Sequence, residues 1–66
     1  MKTEKEIKKE YENNGMLITS LNNALYWAEK RDSDEIANNI RKMLADLHNE
    51  QYKQITLLQA IVDATC

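Results

Sequence analysis

The stretch Ala28-Glu29-Lys30-Arg31-Asp32-Ser33-Asp34-Glu35-Ile36-Ala37 lies near the middle of the chain and decides how it folds. Lys30 and Arg31 suit the negative end of a helix dipole, and Asp32, Ser33, Asp34 and Glu35 supply an N-cap and the acidic first turn of another helix. A helix stop followed at once by a helix start leaves Asp32 and Ser33 as the turn. The flanking sequence has no proline and is rich in Ala, Leu, Glu, Lys, Gln and Met, all good helix formers. The pattern predicts helix one over about residues 3–31 and helix two over about 34–63, with no support for strands. Thr3 and Glu6 have capping-box spacing, in which the hydroxyl accepts from the Glu6 amide and the carboxylate returns to the Thr3 amide.

Heptad reading then orients the two helices. Ile7, Tyr11, Asn14, Ile18, Leu21, Leu25 and Ala28 recur at alternating spacings of four and three, and so do Ala37, Ile40, Leu44, Leu47, Gln51, Gln54, Leu58 and Ile61. Folding back at Asp32-Ser33 sets residues whose numbers sum to 65 face to face: Ala28 with Ala37, Leu25 with Ile40, Leu21 with Leu44, Ile18 with Leu47, Ile7 with Leu58. The polar interruptions coincide, Asn14 opposite Gln51 and Tyr11 opposite Gln54, as a layer that can satisfy its own donors and acceptors. Polar matched with polar points to an antiparallel, all-α helical hairpin forming one domain over residues 1–66. On this reading, replacing Asn14 by leucine is expected to raise stability and loosen register. Asn13-Asn14-Gly15 is also a helix-stop signal, so the alternative is a break there and three helices.

Sixty-six residues make a marginal core, since a chain of this size buries only about 60% of its unfolded surface. One cysteine, Cys66, cannot form an internal disulfide, and no residues show metal-ligand spacing, so no metal or cofactor is expected and self-association is the expected supplement. Nine basic and eleven acidic residues, interspersed to a net charge of −2, disfavour generic binding to polyanions or to membrane surfaces. With no apolar run near 18 residues and no leader-like start, the expected location is the cytoplasm, where a free thiol persists.

The search for catalytic chemistry turns up little. General acid–base catalysis needs carboxylates or histidine in a desolvated cleft, which two helices do not form. His48, the one histidine, flanks the helix-two seam and reads as a half-exposed residue bonded to a neighbour. Ser33 reads as a cap, Ser20 has no base beside it, and a single glycine excludes a glycine-rich phosphate loop. The chain therefore does not read as an enzyme.

The flanks of the seam are more informative. Leu17 and Ala24 lie beside it on helix one with Trp27 a step further round, and Ile36 and Met43 flank the same side of helix two, forming an apolar strip. The opposite flank carries Gly15, Asn22 and Glu29 against Arg41 and His48. A strip centred on Trp and Met fits either the core of a four-helix homodimer or a docking site for another protein. Lys30, Arg31, Arg41 and Lys42 near the turn are the candidate anion-binding residues.

The run Ile18-Thr19-x-Leu21-x-x-Ala24-Leu25-x-Trp27-Ala28 resembles a helix motif of the small phage proteins that sequester cyclic-oligonucleotide immune signals, the anti-CBASS and anti-Thoeris sponges. The resemblance spans eleven residues and implies a nucleotide binder. That family carries basic residues just before the motif to meet phosphates, whereas Glu12-Asn13-Asn14-Gly15 stands there in this chain. The layout is also similar to plasmid-encoded hairpin dimers of the copy-number repressor kind, which bind paired RNA loops. The expected function is a small non-catalytic interaction or regulatory protein, such as a phage- or plasmid-type inhibitor, working through a helix face as a homodimer. The alternative is a nucleotide or RNA binder.

Overall fold

A computed structural model describes residues 2–65 as two antiparallel helices, α1 over Glu4–Lys30 and α2 over Asp34–Thr65, joined by residues 31–33. The all-α hairpin is as expected, with α2 two residues longer than the pattern predicts. Its 32 residues reach about 48 Å at 1.5 Å each, close to the 50 Å length of the molecule. Cys66 lies outside the described residues.

Helix α1 runs unbroken through Asn13-Asn14-Gly15, so the three-helix alternative is not adopted. Gly15 has an ordinary negative φ, and its carbonyl accepts from the Thr19 hydroxyl at 3.1 Å. The cost of a helical glycine is about 1 kcal/mol, small beside the burial of Ile18, Leu21 and Leu25 that depends on an unbroken seam. At the start, Thr3 Oγ1 accepts from the Glu6 amide at 3.2 Å, as the capping box requires. Its second arm differs, because the Glu6 carboxylate accepts from the Thr3 hydroxyl at 3.3 Å.

The turn is a Schellman motif. The Ser33 amide donates to the Ala28 carbonyl at 2.9 Å and the Asp32 amide to the Glu29 carbonyl at 3.2 Å, with Asp32 in the left-handed region at φ 56°. Aspartate tolerates that conformation better than most side chains, though less well than glycine. Ser33 occupies the N-cap position of α2, where its carbonyl accepts from the Ala37 amide at 2.9 Å; among the described residues its hydroxyl makes no hydrogen bond. The short connection needs the helices close together, and the facing residues beside it are the small, buried Ala28 and Ala37.

Every seam residue is buried or half-buried. Ile18, Ala28, Ala37, Ile40 and Leu44 form one buried cluster with Leu21, Leu25 and Leu47 packed against it. Ile7 is buried apart from that cluster, beyond the polar layer. In that layer the contacts run diagonally, not straight across. Asn14 Nδ2 donates to Gln54 Oε1 and Gln51 Nε2 donates to the Tyr11 carbonyl, each at 3.2 Å. The residue sums of these pairs, 68 and 62, straddle 65, so the register is as expected while each amide reaches the next turn for its partner. Gln54 is only 4% exposed, and no buried side-chain nitrogen or oxygen among the described residues lacks a partner.

Candidate functional site

A hairpin of two helices has a single seam, so apolar residues beyond it stay in water unless something covers them. Leu17, Trp27, Ile36 and Met43 are 52%, 48%, 56% and 52% exposed, and Ala24 is exposed beside them. Near the turn the structure brings Ala24, Trp27 and Ile36 together around one shallow groove of about 270 Å³, with Ala28, Arg31, Ser33 and Ile40 completing its wall. Leu17 and Met43 lie further along the same heptad line, outside that groove. Contact with its own hairpin covers about half of Trp27.

The candidate anion-binding residues are drawn to different neighbours. The Lys30 ammonium lies 5.2 Å from the Tyr26 ring centre and 5.7 Å from that of Trp27, and donates to the Tyr26 hydroxyl at 3.0 Å. The Arg31 guanidinium lies 5.8 Å from the Trp27 ring centre, within cation–π range. Arg41 is held away from them, pairing with Glu29 across the hairpin at 3.2 Å and donating to Asn38 at 2.9 Å. Lys42 is exposed on α2. The Arg41–Glu29 pair is on the flank opposite the apolar strip, as is Gly15, where an added Cβ would stand 3.4 Å from Gln51 Nε2.

Sequence reasoning passed over three features. Tyr26 packs edge-on against Trp27, ring centres 5.4 Å apart, which makes the turn end an aromatic pair; its place beside Trp27 and four residues before Lys30 was the signal. The strip also resumes at the open end, where Leu57, Ala60, Ile61 and Ala64 line an almost wholly apolar groove of about 490 Å³ with Ile7 and Lys2. Leu57 and Ala64 continue the heptad line of Ile36 and Met43. Between the two apolar stretches lies a polar belt of Glu10, Asn13 and Glu50 with Asn14 and Gln54. Finally, Lys2 pairs with Glu10 at 2.8 Å, and that hydrogen bond, then the carboxylate's charge, raises the Lys2 ammonium above its ordinary value.

His48 is exposed, and its side chain makes no hydrogen bond among the described residues. No three metal-ligating side chains cluster among those residues, and no helix among them is long and apolar enough to cross a membrane. No family model, curated protein or solved structure matches this chain.

Proposed function

We propose that this chain is a small non-catalytic regulatory protein of the kind phages and plasmids encode, a cytoplasmic homodimer that acts by laying a helix face on another protein. The observation carrying this reading is the flank of Leu17, Ala24, Trp27, Ile36 and Met43, a line of exposed apolar residues whose four large side chains are each about half in water. Large exposed apolar patches on soluble domains mark interaction sites, and Trp is the residue most enriched among energetic anchors. Trp27→Ala tests it. Where the second copy covers the indole, the substitution dissociates the dimer and lowers the melting temperature together. Where a different protein covers it, free-state stability stays within about 0.5 kcal/mol while binding loses about 2 kcal/mol or more. Retention of stability, association and biological activity would refute the reading.

A second reading, nucleotide or RNA binding, is favoured by one observation, the exposed Tyr26–Trp27 pair with Lys30 and Arg31 against it. Aromatic faces stack on bases and cations meet phosphates. On this reading affinity falls steeply with salt, and binding that ignores salt would exclude it.

A further inference from the structure

We infer that the exposed flank is closed by a second copy of this chain lying turn beside turn, with the two-fold axis along the length of the hairpin. The inference rests on the homodimer proposed above and specifies which surface forms the contact and in which direction.

The area asks for a partner of this size. The chain exposes 5378 Å², whereas a compact monomer of its mass exposes about 4,300 Å², an excess of roughly 1,100 Å². The radius of gyration, 15.1 Å, likewise exceeds the roughly 11 Å of a compact chain of this length. One face of the hairpin, 50 Å by 19 Å, presents about 950 Å² in projection. Two such faces together reach the 1,200–2,000 Å² typical of a stable interface.

Direction follows from what meets what. Because paired residues sum to about 65, Lys53 stands level with Glu12, between Glu10 and Asn13 on α1, and Glu50 stands level with Gly15, within about one residue of mid-length. With turns side by side, α1 of each copy faces α2 of the other at equal height. Trp27 then lies over the second copy's Ile36, Ala24 beside its Met43, and Glu10 near its Lys53, which has no ion pair within the hairpin among the described residues. At the turn end apolar meets apolar, at mid-length Leu17 lies beside the second copy's Glu50, and toward the open end a cation meets the acidic belt. With the turn against the open end, each helix would face its own copy instead. Trp27 would then lie over Thr3, Leu17 over Asn13, and the two Glu50 carboxylates would meet near the axis. Like charges opposed at an interface are disfavoured, which selects the turn-beside-turn arrangement.

The experiment places a nitroxide at Glu35→Cys in the full chain carrying Cys66→Ser and measures the distance between copies by pulsed dipolar spectroscopy. Glu35 is exposed and points away from the seam, so the label leaves the strip intact. Turns side by side place the labels across the width of a four-helix bundle, about 30 Å apart at interaxial spacings of 8–10 Å. A distance of about 45 Å or more, the length of some thirty helical residues, would overturn the arrangement while leaving the dimer standing. No dipolar signal, together with sedimentation as a monomer, would overturn both the arrangement and the homodimer.

Discussion

Removing Asn14 alone and removing it together with Gln54 should have opposite effects. Asn14→Leu deletes the amide that donates to Gln54 Oε1 at 3.2 Å, and Gln54 is 4% exposed, so its carbonyl oxygen loses that partner away from water. A buried acceptor left unsatisfied costs about 1–3 kcal/mol. The new leucine occupies a half-buried position, and half of a full leucine burial returns about 1 kcal/mol. The single variant is therefore expected to lose up to about 2 kcal/mol. That reverses the gain expected from heptad reasoning, which counts a polar residue at a seam position as a cost in stability. In Asn14→Leu/Gln54→Leu both partners become apolar, the penalty disappears, and stability should equal or exceed the parent's by about 1 kcal/mol. A double-mutant cycle by urea denaturation, at one fixed protein concentration so that the proposed association would weigh equally on every variant, reads the coupling directly. It should come to about 2 kcal/mol. Additive single effects would show that the 3.2 Å contact does not couple the helices.

Gly15→Ala should gain about 0.5–1 kcal/mol of helix propensity, because the added Cβ would lie 3.4 Å from Gln51 Nε2, an ordinary contact; a drop in melting temperature would mean the helices approach more closely than that. Asp32→Gly should raise the melting temperature modestly, by relieving the left-handed backbone at φ 56° while forfeiting some unfolded-state restriction; a clear fall would show that the aspartate side chain contributes more than its strain costs. Arg41→Ala should change stability by less than about 0.5 kcal/mol, because both members of its ion pair with Glu29 are about half exposed and screened by water; a loss above about 1 kcal/mol would mean that the pair orders the turn end of the hairpin.

The seam could be read from the sequence because burial follows heptad spacing, and positions from Ile7 to Ile61 sit where that spacing puts them. Register was also readable, since a polar layer inside an apolar seam has one good alignment. The diagonal hydrogen bonds were not, because spacing sets residues level with each other while a glutamine side chain can reach along the helix to a better-placed partner. The Schellman turn was hidden for a different reason. Its left-handed position holds Asp32, a residue that also reads as a cap, so the composition pointed to a turn without specifying its hydrogen bonds. The strip of Leu17, Ala24, Trp27, Ile36 and Met43 was legible as a line on two helices. Its continuation at Leu57 and Ala64 stands on the same heptad line and was passed over because Glu50 interrupts that line at mid-length.

The claim that the exposed flank is an interface between copies is tested most directly by sedimentation equilibrium of the full chain from sub-micromolar to hundreds of micromolar. The expected result is a reversible rise from 7.7 kDa to twice that mass, with Trp27→Ala shifting the transition at least tenfold in concentration, the equivalent of about 1.4 kcal/mol. A folded, fully helical species that stays at 7.7 kDa over the whole range would contradict it.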